Sequence, residues 1–266
     1  MTKKKLIAGL LATVLITATS YASTKARWKA GHLEYFESRT QETVQALTPV
    51  QYQMPMISAS NVTIPAYNGA ASTAEVLHLI LSRNTAGTTK YLQAVHGGGI
   101  ELALSDTSRK EEAVVYKRDL KMFDIAKDMA VEIVAALPTF NTAAAATGEV
   151  AFGLRGNYAE GLGVDTPAVM FATSTVLGDN WHAVFSDSEG RTVTDTGVAR
   201  DTKENAFRIE LYEPGKVRFF INGNSVASGD IHATSTLVQP YVMAYKEAGT
   251  AEVKLNLKRY HIWADR

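Results

Sequence analysis

The chain contains no cysteine, which excludes disulfides, thiolate metal sites and cysteine nucleophiles. It has no net charge either: 27 basic residues balance 27 acidic ones. A global field that would draw it to nucleic acid or an anionic membrane is therefore not expected. The uncharged stretch from Leu6 to Ala18 is too short for a comfortable membrane span. Internal repeats, low-complexity tracts and domain linkers are absent from the sequence, as is any long amphipathic helix.

What is present is an ordinary globular composition, 46% hydrophobic and 20% charged over 266 residues. That length suffices for one large domain with its own core plus an extension. Charge is unevenly placed, since Lys3, Lys4, Lys5, Lys25, Arg27 and Lys29 precede any acidic residue. Residues 1–23 join a Lys-Lys-Lys start, an apolar run and small residues at Ser20 and Ala22. This pattern reads as a secretory signal peptide cleaved after Ala22, or as a hydrophobic arm retained in the mature protein.

Residues 24–60 read as an N-terminal extension with a hairpin, Arg27-Trp28-Lys29-Ala30-Gly31-His32-Leu33-Glu34-Tyr35-Phe36, turning at Gly31. Gln41 to Leu47 fits a short strand or a helical turn. Residues 61–266 read as strand after strand, with Val76 to Leu81 expected as one of them. Phe207, Ile209 and Leu211 alternate with Arg208 and Glu210, as in a strand with one core-facing side. Val253, Leu255 and Leu257 repeat the pattern. The phase then slips so that Tyr260 and Ile262 continue the apolar face, which predicts a bulge near Lys258–Arg259. Roughly a dozen strands at such spacing predict an all-β sandwich.

The segment Phe207-Arg208-Ile209-Glu210-Leu211, then Glu213-Pro214-Gly215, then Lys216-Val217-Arg218-Phe219-Phe220-Ile221-Asn222-Gly223, carries two hairpin turns. Pro-Gly suits the first and Asn-Gly the type I′ geometry of the second. This segment resembles the paired strands of concanavalin A-like and laminin G-like domains, and Gln239-Pro240-Tyr241 with Val253 to Trp263 extends the likeness. The resemblance implies a concanavalin A-like jelly-roll β-sandwich with an extended N-terminal arm. Within that superfamily the chain looks most like jelly-roll virion proteins of tailed bacteriophages. The opening hairpin and the order of Phe123-Asp124, Phe152-Gly153-Leu154, Phe207 to Gly223 and Gln239-Pro240-Tyr241 carry that likeness.

The phage resemblance implies a non-enzymatic protein that decorates or cements a capsid at the virion surface. Its partners would be the major capsid protein or neighbouring copies of itself in a homo-oligomer, with Trp28, Leu33, Tyr35 and Phe36 as partner-binding anchors. An arm of about 25 extended residues spans up to about 80 Å, enough to bridge subunits. The alternative is a secreted lectin-like carbohydrate-binding module, for which the leader and the fold speak. A secreted glycoside hydrolase is the third reading.

Catalytic signatures are missing from the sequence. The Glu-x-Asp-x-x-Glu strand of the fold's retaining glucanases does not occur. Glu111 and Glu112 are adjacent and so point to opposite sides of a strand, and Glu210 and Glu213 straddle a turn; all are expected as solvated carboxylates. His32, His78, His96, His182, His232 and His261 form no metal-ligand pair, and Asp187, Glu189, Asp195 and Asp201 follow no calcium-loop spacing. Gly97-Gly98-Gly99 reads as a turn, not a phosphate cradle. No metal or cofactor is expected. Trp28, Tyr35, Phe36, Tyr158 and Trp181 could stack on sugars, with core or interface packing as their expected use.

Overall fold

The computed structural model describes residues 24–29, 32–37, 43–47, 50–54, 72–76, 79–85, 88–92, 99–117, 121–140, 147–163, 167–212, 215–232 and 236–264, with side chains described for 52–54 and from 99 onward. The leader, residues 1–23, lies outside them, as do Gly31, Gly97, Gly98 and the alanine run 143–146.

All described regular structure is β, in twenty strands. Strands β1 (Thr24–Lys29), β2 (His32–Glu37) and β3 (Thr43–Leu47) form a separate antiparallel sheet. The next elements are β4 (Val50–Gln53), β5 (Ser72–Val76), β6 (Leu79–Thr85), β7 (Thr88–Leu92), β8 (Gly99–Leu104), β9 (Glu111–Tyr116) and β10 (Phe123–Asp124). They are followed by β11 (Met129–Phe140), β12 (Gly148–Arg155), β13 (Ala168–Ser174), β14 (Asn180–Asp187), β15 (Gly190–Ala199) and β16 (Asn205–Tyr212). The last are β17 (Lys216–Ile221), β18 (Asn224–Asp230), β19 (Leu237–Lys246) and β20 (Val253–Ala264). The expected single strand over 76–81 is divided between β5 and β6, which pair as a hairpin through Val76↔Leu79.

Two large sheets face each other. One runs β15-β14-β13-β12-β19-β9-β6-β5 with β10 beside β19, the other β18-β17-β16-β11-β20-β8-β7 with β4 beside β20. Adjacent strands far apart in sequence, such as β12 with β19 and β11 with β20, give the jelly-roll connectivity. The inward alternation is as the sequence predicts: Phe207, Ile209, Leu211, Val253, Leu255 and Leu257 all lie in the core. The predicted bulge is present too. Val134 pairs Arg259 while Ala135 pairs Leu257, leaving Lys258 as the extra residue. Asn222 and Gly223 both have positive φ, 51° and 82°, as a type I′ turn requires.

An aromatic cluster fills the centre. Phe207 packs against Phe152, Trp181 and Phe171 at centroid distances of 4.8, 4.9 and 5.0 Å. Each such pair adds about 0.5–1.5 kcal/mol beyond the area it buries. The hydroxyl of Tyr260, on one sheet, donates to the Gly153 carbonyl on the other. Pro240 sits in a central strand without breaking it, because β9 pairs β19 only from Tyr241 onward.

The expectation of solvated carboxylates fails at three positions. Glu111, Glu112 and Glu210 are each no more than 1% exposed. Glu111 and Glu112 do lie on opposite faces of β9, but both faces are covered. Glu111 turns inward, where its Oε2 lies 3.4 Å from the buried Lys246 ammonium. Lys246 also donates to the carbonyls of Ser105 and Thr107, at 2.5 and 2.7 Å. A long cation with three donors is thus fully satisfied at the end of the core, the condition under which a buried charge is tolerated.

Candidate binding face on the nine-stranded sheet

The nine-stranded sheet has a second apolar cluster on the side away from the core. It includes Val114, Ala151, Met170, Ala172, Val184, Tyr241 and Met243. Strand alternation puts them there, since Val115, Phe152, Phe171 and Val242 on the same strands point into the sandwich. A β-sheet face that turns away from the core is polar when it meets solvent; this one is apolar and these residues are buried.

Residues 156–163, between β12 and β13, lie over part of that face and are held to it by side chains from the sheet. Arg155, fully buried, donates to the carbonyls of Gly161 and Gly163 at 2.8 and 3.0 Å, and its guanidinium stacks 5.0 Å from the Tyr241 ring. The Tyr241 hydroxyl donates to Ala159 O at 3.1 Å, and Gln239 Nε2 to Gly156 O at 3.2 Å. The Leu162 amide donates to Glu149 Oε2 at 2.8 Å. Gly161 has φ +60°, and a Cβ there would lie 3.0 Å from both the Glu149 carboxylate and the Tyr245 ring. Only glycine lets the loop lie this close.

This loop delivers Tyr158 to the sheet. Its ring stacks on Tyr116 at 5.6 Å, and Tyr116 lies 6.3 Å from Tyr241. Tyr158 remains 41% exposed, so one aromatic surface faces solvent. Its hydroxyl donates to Glu112 Oε2, and the other oxygen, Oε1, is buried with no hydrogen-bond partner. Burial pushes the Glu112 carboxyl up to about 7; the Tyr158 hydrogen bond opposes this and the nearby Glu160 adds to it. Burial, and the carboxylate it faces, also push the Tyr158 phenol up, so it stays a donor.

The rim is charged and internally paired. Lys110 donates to Glu160 at 2.6 Å, lies 3.4 Å from Glu247 and sits 5.8 Å above the Tyr245 ring. The Tyr245 hydroxyl donates to Glu247. Beyond Glu112, a second buried acceptor on this face, Gln239 Oε1, also has no partner. Buried polar atoms are paired in the great majority of cases, so two orphans under one loop mark a place where a ligand's donors fit.

Neither a protein-family model nor a curated protein matches the sequence. Solved structures resemble it in fold. The endo-beta-1,4-glucuronan lyase of the fungus Trichoderma reesei superposes with a TM-score of 0.50 at 10% identity, over 77% of this chain and 94% of that one. The carbohydrate recognition domain of Emp47p gives a TM-score of 0.49 at 8% identity, over 81% and 96%. The binding domain of Paraclostridial Mosquitocidal Protein 1 gives 0.47 at 9%, over 92% and 49%. The fold is a concanavalin A-like jelly roll. At these identities the likeness establishes the fold alone.

The residues singled out in the sequence fall in different places within this jelly roll. Trp28 stands opposite Leu33 in the β1–β2 pair, Tyr35 opposite Ala26 and Phe36 opposite Lys25; their side chains lie outside the described residues. Trp181 belongs to the core, 2% exposed. Tyr158, expected to pack in a core or an interface, is the one of the five proposed stacking residues found exposed among the described side chains. Among the described residues no group of three or more His, Asp or Glu side chains could hold a metal. Asp187 instead accepts from the amides of Glu189 and His232, and Asp195 from Gly197 and Asn180. Tyr116, Arg155, Gln239 and Tyr241 were not foreseen. Tyr116 and Tyr241 lie on the outward phase of β9 and β19, and only the pairing of these two strands brings them together.

Proposed function

We propose that the chain is a non-enzymatic, lectin-like carbohydrate-binding module whose ligand lies at the exposed Tyr158, where the 156–163 loop crosses the outer face of the nine-stranded sheet. The observation that carries this reading is Tyr158: an exposed ring, backed by Tyr116, hydrogen-bonded to a buried carboxyl that keeps one oxygen without a partner. A sugar offers just these two complements, an apolar C–H face for the ring and hydroxyl donors for the oxygen. Glu112 Oε1 is buried, so a hydroxyl reaches it only when the side chains over it move; the loop backbone is pinned by Arg155, Tyr241 and Gln239. Binding rather than hydrolysis is favoured because the other carboxylates are committed: Glu149 to Leu162, Glu160 and Glu247 to Lys110. Glycoside hydrolysis needs two working carboxyls. Export after cleavage near Ala22 completes this reading. A screen of the purified protein on immobilised glycans tests it, with retention by at least one glycan and loss of that retention in Tyr158→Ala as the expected outcome.

A second reading is capsid decoration through the arm, and one observation favours it. Among the described strands β1, β2 and β3 pair only with one another, leaving a small sheet outside the sandwich. Trp28, Leu33, Tyr35 and Phe36 would be its anchors on a capsid protein or a neighbouring copy. Trp28→Ala and Phe36→Ala would then lower occupancy on particles while the sandwich stays folded; unchanged occupancy in both removes this reading.

A further inference from the structure

Resting on the carbohydrate reading, we infer that the ligand is a neutral, hydroxyl-rich glycan and that this face discriminates against uronic-acid polymers. The argument is one of charge and of which groups are already engaged. Four carboxyl groups surround Tyr158 and its loop: Glu112, Glu149, Glu160 and Glu247. Of the cations among them, Lys110 and Arg155 are spent, and Arg191 is drawn to Glu149. Lys110 holds Glu160 and Glu247 together, and Arg155 is buried beneath the loop on two carbonyls and the Tyr241 ring. A uronate carboxylate placed here would lose its water and meet like charge, with Arg191, already facing Glu149, the one cation left to share.

The orphan atoms point the same way. Glu112 Oε1 and Gln239 Oε1 are acceptors, so what they lack is a donor. The hydroxyl at C6 of a neutral sugar donates; the carboxylate that replaces it in a uronate does not. The environment already disfavours negative charge at Glu112, whose carboxyl burial and Glu160 push up to about 7. A second anion beside it would be disfavoured further.

Matched polymers test this directly. Oligosaccharides of β-1,4-glucan, mannan and α-1,4-galactan are compared with the uronans of the same ring stereochemistry and length, by titration of the full chain. The expected result is at least tenfold tighter binding of the neutral member of whichever pair is bound, a difference of about 1.4 kcal/mol. Glu112→Gln should narrow the gap, because it removes charge and keeps an acceptor, and Lys110→Ala should widen it by releasing Glu160 and Glu247. Equal or tighter binding of the uronan overturns the inference and leaves the carbohydrate reading standing. Binding of neither member of any pair overturns the carbohydrate reading and this inference with it.

Discussion

Stability should fall as pH rises from about 5 to about 8, and replacing Glu210 should remove a large part of that fall. Glu210 lies on β16, facing away from the core, yet is buried; its Oε1 is 2.9 Å from Arg208 Nε but accepts no hydrogen bond. Arg208 stacks 4.4 Å from the Phe220 ring and Arg218 4.3 Å from the Tyr212 ring, so both guanidinia are partly turned to aromatic faces. Burial pushes the Glu210 carboxyl from 4.5 to about 7, against the pull of Arg208 and Arg218. A shift of that size corresponds to about 3 kcal/mol. The sign follows from proton binding. Between the two values the folded chain holds a proton that the unfolded chain has released, so this stability is complete below 4.5 and is lost as pH rises to about 7. Glu112 acts in the same direction over the same window, and Glu149, also raised by burial, adds to it. His261, held below its usual range by burial and by Arg259, opposes them only below 6.5. Urea unfolding at about pH 5 and about pH 8 measures the difference, and Glu210→Gln should reduce it by about 3 kcal/mol. Wild-type stability that is flat or rises across this interval, or a Gln variant with the same slope, would refute the reasoning.

Three further outcomes are expected. Lys246→Met removes the buried ammonium from Glu111, which keeps Arg109 at 3.2 Å and the hydrogen bonds from Ser105 and Thr107. It should cost about 3 kcal/mol in chemical denaturation, the low end for a broken buried pair, and a variant within about 1 kcal/mol of wild type would show the pair to be dispensable. In Gly153→Ala the new Cβ lies 2.4 Å from the Val169 carbonyl oxygen at φ +147°, and neighbouring backbone must move. The thermal midpoint should drop by the equivalent of more than about 2 kcal/mol, and an unchanged midpoint contradicts that geometry. An intact mass of the protein from its natural source should begin at Ser23 if the module is exported, whereas retention of Lys3 to Ala22 favours the capsid reading.

The sandwich was largely legible because its strongest signals are local. Alternation in Phe207 to Leu211 and Val253 to Leu257, the phase slip at Lys258 and the Asn222-Gly223 turn each encode a single strand, bulge or hairpin. The division of Val76 to Leu81 between two strands was not legible, since a continuous apolar run carries no mark of where it folds back. The binding face was hidden for a different reason. It is assembled from β9, β12 and β19, which are neighbours only through the jelly-roll crossover, so the register that sets Tyr116 against Tyr241 has no counterpart in sequence spacing. Burial of Glu111, Glu112 and Glu210 went unforeseen because the sequence shows a carboxylate but not the Lys246, Tyr158 or Arg208 that covers it.

The central claim is that Tyr158 and Glu112 mark a carbohydrate-binding face, and one titration tests it most directly. Wild type and Tyr158→Ala are titrated with the glycan retained in the screen, after circular dichroism shows both folded. The account predicts saturable binding by wild type and at least tenfold weaker binding by the variant, a loss of about 1.4 kcal/mol or more. Equal affinity in the two proteins would contradict it and move the search to another surface of the jelly roll.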